Sequence, residues 1–337
     1  MQRRAALATL AAGVWPDVWA QAPAAAGEAF DFVALGDMPY QPDALVGPAY
    51  RHLIDLINAL APPFSIHVGD FKDGLAACSD DEYRLQWQHF QRFASALVYT
   101  PGDNDWLDCN RRGDDPLERL QALRERFFSS PQSLGQRPIA LQRQSTQMPA
   151  YARYRENALW QHRGVTFATF HTVGQFNGVD STLAAVRAEG LVREAANAAW
   201  ISAAFDHARA TQARALVLAT QAESLRRNDP LNPHRLRVQP PFTSIAHTLL
   251  PLADKAPFPV LLIHGDAHHY VTDQPFSNAA GQPITNLWRL EVFGEPRMHA
   301  VRVRVQAHGP TGTPPFAFSP IWNPMSTDPR HTPRPPR

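Results

Sequence analysis

Four short apolar runs in this chain each end in a Gly-Asp pair. The runs cover residues 32–35, 66–68, 97–101 and 261–264, and the pairs that follow them are Gly36-Asp37, Gly69-Asp70, Gly102-Asp103 and Gly265-Asp266. Each run has the length and the partly β-branched content of a buried strand, and glycine is typical of the turn that ends one. Because these runs are apolar throughout rather than alternating, they predict a sheet covered on both faces.

The rest of the chain alternates between strand and helix patterns. Residues 165–170 and 215–220 are two more strand-like runs, and they end next to His171 and Gln221. Segments 43–60, 80–93, 116–128 and 182–210 are predicted helices. This alternation predicts crossover connections and a largely parallel sheet. Segments 286–293 and 299–305 alternate apolar with polar residues, which predicts an antiparallel pair at the edge of a second sheet.

The first 22 residues have the order of features expected of a signal peptide. Arg3 and Arg4 give a positive start, residues 5–15 are mainly apolar, and small residues end the segment at Ala22. Paired arginines are also a feature of twin-arginine export, so we predict a periplasmic or secreted protein. A frayed amphipathic N-terminus is the alternative. No later stretch approaches the ~18 apolar residues that span a bilayer, so no transmembrane segment is expected in the mature chain.

The charge balance excludes some classes of partner. The 337 residues carry 32 Lys and Arg against 31 Asp and Glu, which gives a net charge of +1. That balance provides no electrostatic basis for binding nucleic acid or an anionic membrane. We expect a single domain over residues 28–306, followed by a Pro-rich tail, 307–337, that is irregular or disordered. No pattern in the sequence indicates an oligomeric state.

The chain has two cysteines, Cys78 and Cys109. An oxidising compartment would permit one disulfide between them. Each lies a few residues beyond a Gly-Asp turn, so the bridge would tie two loops of the site together. Two unpaired, partly buried thiols are the alternative.

The four aspartates and Gln221 all follow predicted strands. In open α/β folds, ligands bind outside the carboxyl ends of the strands, so these side chains are expected to share one site. Four carboxylates in such close proximity would repel one another and raise one another's pKa. A divalent cation between them removes this repulsion. If the Gly-Asp pairs are ordinary turns, the carboxylates do not converge, and the chain is an exported binding protein for a small ligand.

The ordered set of motifs resembles the calcineurin-like metallophosphoesterase family. That family carries D-x-H, G-D-x-x-D, G-N-H-[DE], a later His and G-H-x-H. The matching places in this chain hold Asp37-Met38-Pro39, Gly69-Asp70-Phe71-Lys72-Asp73, Gly102-Asp103-Asn104-Asp105, Gln221 and Gly265-Asp266-Ala267-His268. The resemblance spans residues 30–305. It implies an α/β fold in which mixed sheets flanked by helices form a four-layer α/β/β/α sandwich.

Carried over position by position, the resemblance implies two divalent metal ions. The first would be held by Asp37, Asp70 and His268, and the second by Asp70, Asp103, Gln221 and Asp266. Pro39 stands where the family has a histidine ligand, and three further ligand positions, 103, 221 and 266, are also exchanged. Both sites are therefore richer in oxygen, which favours Mn²⁺, Mg²⁺ or Ca²⁺ without excluding iron or zinc. In an alternative register Asn104 is the ligand and Asp103 supports it.

The activity that the resemblance implies is hydrolysis of a small-molecule phosphate mono- or diester by attack of a metal-bound water. Asn104 replaces the histidine that assists the leaving group, and it can donate a hydrogen bond but not a proton. His171 is a candidate for the missing catalytic group, as are His264 and His269. His269 and Arg111 are candidate substrate-binding residues, although a loop arginine is more often only solvated. The rival interpretation is a catalytically impaired protein of this fold that binds a metal or phosphate ligand without turnover.

Overall fold

The computed structural model describes residues 27–227, 236–307 and 314–326 of the chain. The predicted signal segment, residues 1–22, lies outside these ranges. The described helices are Asp43–Ala59 (α1), Asp80–Phe90 (α2), Pro116–Phe127 (α3), Gln144–Gln147 (α4), Ala184–Ala210 (α5) and Leu250–Asp254 (α6). Short 3₁₀ turns cover Leu107–Arg112, Pro149–Tyr151 and Gln175–Gly178, and a π-helical turn, Ile245–Leu249, leads into α6.

The described strands belong to two large sheets and one small ribbon. In chain order they are Phe30–Leu35 (β1), Phe64–His67 (β2), Ala96–Tyr99 (β3), Gln142–Arg143 (β4), Ala158–His162 (β5), Val165–Thr169 (β6), Ala215–Ala219 (β7), Leu225–Arg227 (β8), Leu236–Val238 (β9), Val260–His264 (β10), Val271–Asp273 (β11), Leu287–Glu291 (β12), Ala300–Val305 (β13) and Phe316–Ile321 (β14). The five-stranded sheet has the order β14-β13-β1-β2-β3, and the seven-stranded sheet has the order β11-β12-β10-β7-β6-β5-β4. β8 and β9 pair with each other.

Both large sheets are mixed. In the first, β1, β2 and β3 run parallel, while β13 lies antiparallel to β1 and β14 antiparallel to β13. In the second, β6, β7, β10 and β12 run parallel, and β11 and β5 are antiparallel to their neighbours. The expected α/β architecture of mixed sheets flanked by helices is therefore confirmed.

The seven-stranded sheet is apolar on both faces because each face contacts a different core. Along β7, Ala215, Val217 and Ala219 belong to a core shared with β1, β2, β3 and helices α1 to α3. The intervening Leu216 and Leu218 belong to a second core formed with α5 and the segment that includes α6. Burial on both faces explains why the sequence of this strand shows no alternation.

Two of the helices begin at residues that the sequence marks as caps. The hydroxyl of Ser79 accepts a hydrogen bond from the backbone N–H of Glu82 at the start of α2. Asp115 accepts from the N–H of Leu117 at the start of α3, where Pro116 is the first helical residue. Among the described helices, none combines the length and the apolar character needed to cross a lipid bilayer.

Two expectations about the C-terminal part differ from the structure. Segments 286–293 and 299–305 were expected to pair with each other, but β12 lies in the seven-stranded sheet, parallel to β10, and β13 lies in the five-stranded sheet. Their alternating pattern indicates strands but carries no information about the partner strand. Within the segment expected to be an irregular tail, β14 forms the edge of the five-stranded sheet. Residues 308–313 and 327–337 of that tail lie outside the described ranges.

Candidate metal centre

The aspartates of the four Gly-Asp pairs lie at the carboxyl ends of β1, β2, β3 and β10, and Gln221 lies at the end of β7. Asp37, Asp70, Asp103 and Gln221 are buried, and Asp266 is partly exposed. Within each sheet these strands run parallel, so their carboxyl ends share an edge. The hydrogen bond from Gln221 to Asp70 brings the two edges together.

Four of the predicted ligands have left-handed backbone conformations. The φ angles are 53° at Asp37, 55° at Asp70, 79° at Asp266 and 63° at His268. A non-glycine residue pays roughly 1–2 kcal/mol for this conformation, and such strain concentrates at functional sites. Six other non-glycine residues among the described ones share this conformation, so it accompanies the motif positions without being confined to them.

Glycines allow the carboxylates to approach one another. A Cβ atom at Gly174 would lie 2.7 Å from Oδ1 of Asp103 and 2.8 Å from Oδ1 of Asp266, so these two oxygens face the same point. A Cβ atom at Gly265 would lie 2.1 Å from Oδ2 of Asp37. The backbone N–H of Asp266 donates to both oxygens of Asp37, at 3.1 and 3.2 Å. The turns after β1, β3 and β10 thus bring three carboxylates together.

Asp70 lies at the centre of the hydrogen-bond network. Its Oδ1 accepts from the backbone N–H of Asn104 at 2.9 Å. Its Oδ2 accepts from the side-chain amide of Gln221 at 3.0 Å and from the hydroxyl of Tyr40 at 3.2 Å. The other end of the Gln221 carboxamide, Oε1, accepts from the N–H of Gly174 at 2.8 Å.

Tyr40 is a site residue that the sequence motifs do not identify. Its hydroxyl lies 3.0 Å from Nε2 of His268 as well as 3.2 Å from Asp70. Nδ1 of His268 lies 2.8 Å from the carbonyl oxygen of Glu295, and this contact favours the tautomer with the proton on Nδ1. The only sequence signal was its position next to Pro39, where the family has a histidine.

Burial raises the pKa of Asp37, Asp70 and Asp103 well above the usual range, and the neighbouring carboxylates add to the effect. Burial also raises the pKa of Asp266, to about 6. Among the described residues, none of the hydrogen bonds found for these four carboxylates comes from Lys or Arg. Oδ1 of Asp103 is buried and has no hydrogen-bond partner within the described part of the chain. Burial and mutual repulsion therefore disfavour the ionised forms of these carboxyls in the metal-free chain.

Asp105 stands at the acidic position of the third motif, and the structure shows what it does. It accepts hydrogen bonds from the backbone N–H groups of Asp70, Phe71 and Gly102, at 3.1, 2.8 and 2.8 Å, and from the hydroxyl of Tyr99 at 2.7 Å. These bonds join the turn after β2 to the turn after β3. Asp105 therefore holds the two loops that carry Asp70 and Asp103.

Comparison with known proteins shows the fold. No family model matches the sequence, and no curated protein matches it. A dimetal phosphatase from Danio rerio superposes with a TM-score of 0.51 at 9% identity, over 87% of this chain and 99% of that one. The fold is that of the calcineurin-like metallophosphoesterases. A purple acid phosphatase from yellow lupin (Lupinus luteus) gives a TM-score of 0.47 at 12% identity over 84% of this chain and 50% of that one, and a Thermus thermophilus protein gives 0.42 at 9% over 81% and 93%.

The predicted substrate-contacting residues Arg111, Asn104 and His269 differ in their surroundings. Arg111 forms an ion pair with Asp108 at 2.8 Å, and a Cβ atom at Gly74 would lie within 3 Å of Arg111, Asp108 and the side-chain oxygen of Asn104. Arg111 and Asn104 are therefore neighbours at the rim. The side chain of His269 is 71% exposed, and its backbone N–H donates to Glu291.

His171 is completely buried below this rim. Its Nδ1 lies 2.8 Å from Glu156, and its Nε2 accepts a hydrogen bond from the indole N–H of Trp106 at 3.2 Å. Glu156 is also paired with Arg124. Both ring nitrogens are thus engaged in the core, and the structure provides no contact between His171 and the carboxylate cluster. His264 is buried too, with Nδ1 against the carbonyl of Gly265.

Cys78 and Cys109 form a disulfide. The bridge joins the loop that precedes α2 to the 3₁₀ turn Leu107–Arg112. That turn carries Asp108 and Arg111, so the disulfide connects the rim of the site to the loop after β2.

The donor atoms at this centre suit a hard divalent cation. Within the described ranges, no three His, Cys, Asp or Glu side chains lie close enough together to hold a metal ion. Around the hydroxyl of Tyr40, however, one oxygen of Asp70 and Nε2 of His268 lie within hydrogen-bond distance, so three donor atoms of mixed type converge there. Oxygen-rich sets of this kind favour Mn²⁺ or Mg²⁺ over softer metals, and the buried Oδ1 of Asp103, which has no hydrogen-bond partner in the described structure, is a further oxygen acceptor at this edge.

Proposed function

We propose that this chain is an exported, metal-dependent hydrolase of phosphate mono- or diesters. The observation that supports this most strongly is the cluster of Asp37, Asp70, Asp103 and Asp266, which lies largely buried at the strand ends, where burial and the neighbouring carboxylates raise the pKa of the first three. The fold is shared with a protein described as a dimetal phosphatase. Export is supported by the sequence of residues 1–22.

The residues of the cluster would position the ion and the substrate. A divalent cation bound here would polarise the phosphoryl group and lower the pKa of a nearby water. Asp70 is held in one orientation by three donors, from Tyr40, Asn104 and Gln221. At the rim, Arg111 and the side chain of Asn104 offer hydrogen-bond donors to phosphoryl oxygens.

The test is hydrolysis of an aryl phosphomonoester and an aryl phosphodiester by the full chain, with added Mn²⁺ and with EDTA. We expect turnover with added Mn²⁺ and none with EDTA. The Asp70→Asn variant should lose at least ~10²-fold in turnover rate, because the substitution removes a carboxylate at the centre of the network. Asp206→Asn is the matched control, since Asp206 lies on the surface in an ion pair with Arg209. It should retain full activity.

The outcomes separate the two interpretations of the fold. Turnover that is insensitive to both EDTA and Asp70→Asn would rule out the proposed mechanism. Metal binding without turnover of any ester would favour the non-catalytic alternative, a protein that binds a metal or a phosphate ligand.

A further inference from the structure

Oδ2 of Asp70 has a different type of neighbour on each side. On one side lie the hydroxyl of Tyr40 and Nε2 of His268, and on the other lies the side-chain amide of Gln221. In the family that the sequence resembles, the matching aspartate bridges two ions. The two sides of this oxygen therefore differ in their ability to accept an ion.

On the Tyr40 side, two distances between donor atoms match the edges of a coordination shell. Ligand atoms about 2.1 Å from an octahedral ion lie about 3 Å apart along an edge of the shell. The hydroxyl of Tyr40 lies 3.0 Å from Nε2 of His268 and 3.2 Å from Oδ2 of Asp70. With Nδ1 of His268 directed at the carbonyl of Glu295, the lone pair of Nε2 faces the same space. Tyr40 thus supplies an oxygen where Pro39 has removed a nitrogen.

The Gln221 side already contains a donor. The amide nitrogen of Gln221 lies 3.0 Å from Oδ2 of Asp70, and its hydrogens also reach Asp266. Its oxygen accepts from the N–H of Gly174, which fixes the orientation: a flipped carboxamide would place its NH₂ group against another N–H. An NH₂ group cannot ligate a cation, and this one lies where a second ion would contact Asp70.

We propose that this centre holds one divalent cation, bound through Tyr40, Asp70 and His268, and that the carboxamide of Gln221 takes the place of a second. The inference rests on the proposed function in that it concerns the same metal centre. It assigns Tyr40 as a ligand and Gln221 as a residue that positions Asp70.

The first test counts ions. The full chain is loaded with Mn²⁺ and desalted, and manganese per chain is measured by elemental analysis, with EPR to distinguish an isolated ion from a coupled pair. We expect one ion in the wild type and two in Gln221→Glu. The variant keeps an acceptor for Gly174 and replaces the NH₂ group with an oxygen ligand. Gln161→Glu, on the exposed part of β5, is the matched control and should bind one ion.

The second test measures affinity. Calorimetric titration with Mn²⁺ should give a dissociation constant roughly 10–100-fold weaker for Tyr40→Phe than for the wild type. Tyr50→Phe is the control, because the Tyr50 hydroxyl is buried with no hydrogen-bond partner in the described structure, and its Kd should match the wild type. Circular dichroism establishes that both variants are folded.

The outcomes distinguish this inference from the proposed function. Two ions in the wild type, one ion in Gln221→Glu, or equal affinities for Tyr40→Phe and Tyr50→Phe would overturn the inference and leave the hydrolytic function intact. One ion without turnover of any phosphoester would support the inference and overturn the function. No binding at any Mn²⁺ concentration would overturn both.

Discussion

Two aspartates separated by one residue have opposite roles at this site. Asp105 accepts four hydrogen bonds and joins the turns after β2 and β3. Asp103 keeps one buried oxygen without a partner in the described structure and faces Asp266. The first carboxylate is therefore required by the fold, while the ionised form of the second is unfavourable for the fold of the metal-free chain.

Substitution of these two residues by asparagine should have opposite effects on the metal-free chain. Asp105→Asn exchanges an acceptor for an NH₂ group, so at least one buried donor loses its partner, at a cost of about 1–3 kcal/mol in the free energy of unfolding. Asp103→Asn removes a carboxyl whose ionised form burial and the neighbouring carboxylates disfavour, and the amide keeps one oxygen that can accept from the backbone N–H of residue 103, so it should raise the stability. Urea unfolding in EDTA measures both changes. If both variants are destabilised equally, the distinction is wrong.

Asn104 stands where the family that the sequence resembles has a histidine, and this predicts that the rate depends on the leaving group. Asn104→His should accelerate hydrolysis of an alkyl phosphate, whose leaving group needs a proton, by about 10²-fold. An aryl phosphate with an acidic leaving group should be affected much less. Asn104→Gln, which cannot supply a proton, is the control. Equal changes for both substrates in the histidine variant would show that position 104 does not contact the leaving group.

Among the elements, the disulfide-linked loops form the least regular part of the site. Cys78 lies just before the cap of α2, and Cys109 lies in the 3₁₀ turn that carries Asp108 and Arg111. The bridge closes a segment with a sequence separation of 31 residues. A link of this length restricts the unfolded chain and holds the rim turn against the loop after β2.

Removing the bridge should therefore affect both stability and substrate binding. The double variant Cys78→Ser, Cys109→Ser should lose about 3–4 kcal/mol of unfolding free energy in urea titrations. Its KM for a phosphoester should rise more than its kcat falls, because the 3₁₀ turn carries Arg111 but none of the carboxylate ligands. The reductant dithiothreitol should reproduce the loss in the wild type. If dithiothreitol also lowers the stability of the double variant, the loss does not come from the Cys78–Cys109 disulfide.

The strands and helices could be predicted from the sequence because their signals are local. β1, β2, β3, β7 and β10 agree with the apolar runs to within about two residues at either end, since a strand buried on both faces needs an unbroken apolar segment. The partners of β12 and β13 could not be predicted, because alternation is the same whichever sheet a strand joins. The orientation of Gln221 was also inaccessible, since the N–H of Gly174, from another loop, determines it.

For the whole molecule, buried ionisable groups determine the pH range in which the metal-free chain is stable. Burial lowers the pKa of His171 to about 4 and that of His264 to about 3. Between these values and about 6.5 the unfolded chain binds more protons than the folded one, so these histidines make the fold less stable as the pH falls. Buried carboxyls with raised pKa act in the opposite direction.

Glu291 is a buried carboxyl through which the loss of stability at alkaline pH can be measured. It is buried at the end of β12 and accepts a hydrogen bond from the N–H of His269. Burial raises the pKa of its carboxyl to about 8, and the neighbouring Glu223 and Asp266 add to this effect. Arg289 acts in the opposite direction. Because the folded pKa is raised, the stabilisation is complete below the unfolded value of about 4.5 and is lost as the pH rises through about 8.

In Glu291→Gln this loss should disappear, because the amide cannot ionise but its oxygen can still accept from His269. The melting temperature of the variant minus that of the wild type, measured in EDTA, should therefore increase steadily from about pH 5 to about pH 8.5. Glu125→Gln is the control, since Glu125 is exposed on α3, and its difference should not change with pH. If the Glu291→Gln difference is equally flat, Glu291 is already ionised in the fold, and the negative charge at this edge of the sandwich is better compensated than the structure indicates.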